Sequence, residues 1–271
     1  MYLKKLSKFV CICYYKIMSF KDWLFSRYPA QSKVQAWGLA HILTLVACIG
    51  ITIALAFLFK NKSKKAKNIV LWVLVGLILF FEIARRIIIF CSTSERSLNF
   101  ILYVLLPRPW CAISCWALII ARIFNKKYLY NFASISALLC AIIFFAYPGV
   151  GFRAPYFLFE DLYSVVTHCL LLITSISLMT LGFTNFRYKK FWKVAVCYAV
   201  ILAYAFLEIY VLKIEHDPMY FMPNNDVQEI VGLSYPVFLI IYIAFILFYF
   251  NLFPLIQHFK DKRKRLKNKE V

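Results

Sequence analysis

The chain has 271 residues, is 63% hydrophobic and 19% aromatic, and carries 32 Lys and Arg against 12 Asp and Glu. Soluble proteins are about 45–50% apolar and about 25% charged, so a chain with 16% charged residues is excluded from that class. A positive mean hydropathy with only 7 Gly and 9 Pro also excludes a disordered or collagen-like chain, and the +20 net charge makes the position of each cation the first question.

Residues 1–35 hold seven Lys/Arg and one Asp. Lys8 and Lys16 interrupt any apolar core that a signal peptide would need. As a helix, Leu6, Val10, Cys13, Ile17 and Leu24 form one stripe, with Lys4, Lys5, Lys8 and Lys16 opposite. That pattern suits a helix lying in an anionic membrane surface; a basic leader is the competing reading.

Seven segments then have the roughly 20 apolar residues that cross about 30 Å of hydrocarbon. They are 37–59, 69–91, 100–124, 128–148, 162–183, 194–214 and 231–256. Barrel strands alternate and span about 10 residues, so these segments are helices. The expected fold class is all-α, a polytopic membrane bundle: a seven-helix domain over 36–256 and a basic tail over 257–271.

Charge orients the bundle. Lys60–Lys67, Arg122–Lys127, Arg187–Lys193 and Lys260–Lys269 together hold nineteen cations on one side of a seven-span chain. The opposite loops hold Arg96 and Arg153 but also Glu95, Glu160, Asp161, Glu215, Asp217, Asp226 and Glu229. The nineteen face the cytoplasm, and the C-terminus is inside. The basic balance therefore reports topology, and a nucleic-acid partner is not expected. The nine cysteines form no pair in the outer loops, and neither a metal-ligand spacing nor a phosphate loop occurs, so no metal and no cofactor are expected.

Ionisable groups inside a span are expensive and point to function. Counted from the outer helix ends, Glu82 lies about 13 Å deep, Cys111 about 16 Å, His168 and Glu208 about 9 Å and His41 about 6 Å. Arg85, Arg86 and Arg108 belong to the same layer, which argues for one cavity open to the outer face. Glu82, Arg85 and Arg86 are spaced i, i+3, i+4, which suits either a structural clamp or a cradle for a phosphate headgroup. Arg108 stands between Pro107 and Pro109, which remove two backbone donors and open the helix beside a polar cavity. Cys111 and His168 permit nucleophilic catalysis: the imidazole takes the thiol proton, Glu82 or Glu208 orients it, and Arg108 stabilises charge on the attacked ester. Arg85, Arg86, His41 and Glu208 complete the substrate-binding candidates. The plain alternative is a packing histidine and an inert buried thiol.

The run Leu106-Pro107-Arg108-Pro109-Trp110-Cys111 resembles the Leu-Pro-x-x-x-Cys signature of the YwaF family of small bacterial integral membrane proteins. His41, Glu82, Pro148, His168 and Gly232-Leu233-Ser234-Tyr235-Pro236 follow the family order, over roughly residues 35–255. A related eukaryotic branch is a phospholipid acyltransferase that uses a membrane Cys and His. The resemblance implies that Cys111 carries an acyl group, that His168 activates it, and that membrane phospholipids are the partners; abundant Lys, Ile, Phe and Tyr with few Gly point to an AT-rich bacterial genome and a plasma-membrane address. The chain departs from the family at Arg108 and Pro109, at Ser134 and Ser136, and at Tyr147-Pro148-Gly149. Two rival functions stay open: a solute-binding or transport subunit with an outward polar pocket, and a non-catalytic assembly protein.

Overall fold

The computed structural model describes residues 20–25, 37–147, 151–152, 158–188, 191–213, 219–220, 222–223 and 225–267. Within them the chain is helical, with no strand. The elements are α1 (Phe20–Phe25), α2 (Leu39–Phe59), α3 (Lys64–Cys91), α4 (Leu98–Leu105), α5 (Trp110–Phe124) and α6 (Lys127–Ala146). They continue as α7 (Phe159–Thr180), α8 (Trp192–Phe206, extended by a π-helical turn over Leu207–Val211), α9 (Asp226–Val231) and α10 (Tyr235–Lys267).

Local chemistry sets several of these limits. Ser63 and Ser97 cap α3 and α4 by accepting from the amides of Ala66 and Phe100. Asn125, in the left-handed region at φ 51°, ends α5. Leu106 is extended, as a residue before proline prefers, and α4 stops there.

Five helices are long and apolar enough to cross a membrane: α2, α6, α7, α8 with its π turn, and α10. The expected third span is instead the pair α4 and α5, bent by 59° at the prolines, which makes a sixth if counted as one crossing. The expected second span is α3, a helix of 28 residues or about 42 Å. It stands outside that apolar set, and its C-terminal half carries Glu82, Arg85 and Arg86. The last helix does not stop at the hydrocarbon boundary near residue 256 but runs into the basic tail as far as Lys267. Of the N-terminal segment only Phe20–Phe25 is described; the rest of residues 1–36, like Pro148, Glu215 and Asp217, lies outside the described residues.

The bundle is built around α6 and α7, whose apolar windows are 72% and 67% buried, against 11% for α2 and 17% for α8 and α10. The outer helices turn Ile, Leu and Phe outward, Phe57 and Ile240 among them, as expected of surfaces in hydrocarbon rather than water. Helix α5 packs on α6, α6 on α7, and α2 and α3 on α7. Polar hooks set the register: Trp110 donates to Ser136 (2.8 Å), Tyr249 to the Ile135 carbonyl (3.1 Å), and Asn131 exchanges two hydrogen bonds with the backbone of Asn185. Deep in hydrocarbon such groups must find partners within the protein.

Candidate functional site

The break between α4 and α5 frees backbone carbonyls that a continuous helix would have used. Side chains of two other helices take them up. Arg86 donates from Nε to the Leu105 carbonyl and Arg85 from Nη1 to the Arg108 carbonyl, each at 3.4 Å. The Tyr204 hydroxyl stands 3.4 Å from the Pro107 carbonyl, sharing its one proton between that carbonyl and Glu208. Helices α3 and α8 thus hold the ends of an irregular segment, and Cys111 follows it in the first turn of α5.

Glu82 is fully buried and both of its oxygens are engaged. Oε2 pairs with Arg86 Nη1 at 2.5 Å, and Oε1 accepts from the Tyr163 hydroxyl at 2.5 Å. The arginines rest on aromatic faces: Arg85 on Tyr163, Arg86 on Trp116 and Arg108 on Tyr103. Arg85, Tyr103 and Tyr163 also line a cavity of about 190 Å³ that Leu24 and Phe25 of α1 help to close.

Arg108 is 3% exposed, and among the described residues Nε, Nη1 and Nη2 have no hydrogen-bond partner. Its nearest counter-charge is Glu208, with Nε 3.6 Å from Oε1. Glu208 sits in the π-helical turn of α8, a local widening that recurs at functional positions. Its Oε1 accepts from Tyr204 one turn earlier, at 2.7 Å, while Oε2 is buried without a hydrogen-bond partner among the described residues.

The two histidines lie elsewhere in the layer. His168 donates from Nδ1 to the Ser164 carbonyl at 2.7 Å and stacks on Phe144, with ring centroids 3.9 Å apart. His41 accepts at Nδ1 from the Trp37 amide and packs against Phe152 and Phe145. Phe144, Phe145 and Phe152 form one aromatic cluster that both imidazoles share. No hydrogen bond among the described residues joins His168 to Cys111 or to Glu82.

Of the residues singled out from sequence, Glu82, Arg85, Arg86, Arg108 and Glu208 are joined around the break that leads into Cys111. His41 and His168 form a second group. Sequence reasoning missed Tyr103, Tyr163, Tyr204 and Trp116. For Tyr204 a signal was there, because it precedes Glu208 by four positions.

A protein-family model for the TMEM164 family matches residues 36–253, most of the chain, and the protein belongs to that family of membrane proteins. No curated protein matches, and no solved structure does.

Proposed function

We propose that this member of the TMEM164 family is a membrane-embedded acyltransferase. It moves a fatty acyl group from a phospholipid ester to an acceptor through a thioester on Cys111, and it works from the outer leaflet of a bacterial plasma membrane. The observation that carries this reading is the position of Cys111. It lies in the first turn of α5 directly after the break, where the Arg85 guanidinium donates to the Arg108 carbonyl. Arg108 brings N–H groups that have no hydrogen-bond partner among the described residues, and such donors stabilise the oxyanion formed when an ester carbonyl is attacked.

On this reading Cys111 Sγ attacks the acyl carbonyl. The C–S bond forms, the ester C–O bond breaks, and the lysophospholipid oxygen leaves with the proton taken from the thiol. His168 carries that proton. Its Nδ1–H is committed to the Ser164 carbonyl, so the lone pair lies on Nε2. Among the described residues no hydrogen bond links it to Cys111, so transfer runs through a bridging water or through closure around substrate. Arg85 and the 190 Å³ cavity beside it take the phosphate, whose geometry matches a guanidinium. Glu82 acts at one remove, fixing Arg86 and Tyr163 rather than the imidazole.

The test is direct. Purified protein incubated with phospholipid radiolabelled in its acyl chain should acquire hydroxylamine-sensitive label, and Cys111→Ala should abolish it. Absence of label on the wild-type chain overturns the reading. A second reading, a binding subunit for a small polar solute, is favoured by the unpartnered polar atoms of Arg108 and Glu208. Native mass spectrometry separates the two: a co-purifying polar molecule without acyl label supports binding alone.

A further inference from the structure

Glu208 stands out among the buried charges of the protein. It is fully enclosed, it is placed by a π-helical turn, and one carboxylate oxygen has no partner. A structural ion pair would be expected to use its geometry fully, because burying a carboxylate is offset only by close contacts and hydrogen bonds on every lone pair. Here the contact with Arg108 is 3.6 Å, and among the described residues neither Oε2 nor any of the three guanidinium nitrogens of Arg108 has a hydrogen-bond partner. Donors and an acceptor therefore lie side by side, each without a mate. A hydroxyl is the group that satisfies both, since it donates one hydrogen bond and accepts others.

The pair is also docked on the segment that leads to the thiol. Tyr204, which donates to Glu208 Oε1, reaches the Pro107 carbonyl, and Arg108 is three positions before Cys111.

We infer that Arg108, Glu208 and Tyr204 form the acceptor subsite of the transferase, taking the free hydroxyl of a lysophospholipid with Glu208 as its general base. The inference rests on the acyl-thioester reading given above. The hydroxyl donates to Oε2 and accepts from Arg108. As its oxygen attacks the thioester carbonyl, the new C–O bond forms, the C–S bond breaks, and the hydroxyl proton passes to Glu208. The departing sulfur takes a proton back, so a thioester and an alcohol become an ester and a thiol. Tyr204 is a positioning residue that holds the other oxygen.

The experiment separates the two half-reactions in purified full-length protein. The chain is first loaded with radiolabelled acyl groups from phospholipid, then chased with lysophospholipid, and hydroxylamine-sensitive label on the protein and ester product are followed in time. Glu208→Gln should load and then hold its label, with discharge to lysophospholipid slowed by about 100-fold, the lower range of general-base effects. Tyr204→Phe, which leaves the carboxylate in place, should slow discharge by about tenfold, and it serves if Glu208→Gln does not elute as a folded protein. Discharge at the wild-type rate in either folded variant overturns the subsite, even though a labelled wild type leaves the thioester reading standing. A wild type that takes no label removes both.

Discussion

The Tyr163 hydroxyl donates to Glu82 Oε1 at 2.5 Å, joining residues 81 positions apart and closing α7 onto α3. The other oxygen of the same carboxylate pairs with Arg86, whose Nε holds the Leu105 carbonyl at the break. One buried carboxylate thereby links three helices. Its removal leaves Arg86, only 11% exposed, without a counter-charge. Glu82→Gln should destabilise the protein by about 3 kcal/mol, in the range for breaking a buried pair. Tyr163→Phe removes one hydrogen bond to a charged group and should cost about 2 kcal/mol. The double variant should cost less than the sum, because both changes act on one network. Thermal unfolding in one detergent checks the order; equal stability of Glu82→Gln and wild type contradicts the clamp.

Sequence periodicity and charge were sufficient for the helical class and the bundle, and the two prolines for the break between α4 and α5, because proline acts on its own backbone. What the freed carbonyls bond to was not legible. Their donors, Arg85, Arg86 and Tyr204, come from helices far away in the chain, and only packing brings them together. The same limit applies to the histidines. Similar depth in the bilayer suggested one constellation, but depth says nothing about azimuth, and the ring of Phe144 groups His168 with His41 rather than with Glu82. The aromatic seats of the arginines are invisible for the same reason: Tyr103, Tyr163 and Trp116 look like ordinary residues of an aromatic-rich membrane helix.

The orientation can be tested without reference to activity. By the positive-inside rule, nineteen cations on one face predict that the link between α2 and α3 is cytoplasmic and the link between α3 and α4 is outside. In a Cys91→Ser background, which removes an exposed thiol near the second link, Glu95→Cys should react with a membrane-impermeant maleimide in intact cells. Lys62→Cys should react only after permeabilisation. Both positions lie in exposed linkers, so neither change should disturb the bundle. The reverse pattern of labelling contradicts the topology and moves the candidate site to the inner leaflet.

Arg85 divides binding from chemistry. Its guanidinium lines the 190 Å³ cavity, rests on Tyr163 and donates to the Arg108 carbonyl, so it touches both the proposed phosphate site and the approach to Cys111. If its main role is to hold phosphate, Arg85→Gln should raise KM for phospholipid by about tenfold, equivalent to about 1.4 kcal/mol of lost binding, with kcat changed less. Loading of Cys111 from a neutral activated ester, which has no phosphate to bind, should then stay within about twofold of wild type. Arg85→Lys should recover part of the KM loss, because an ammonium keeps the charge but not the bidentate geometry. Equal losses with the phospholipid and the neutral ester would instead place Arg85 with the reacting atoms, stabilising charge at the acyl carbonyl rather than anchoring the headgroup.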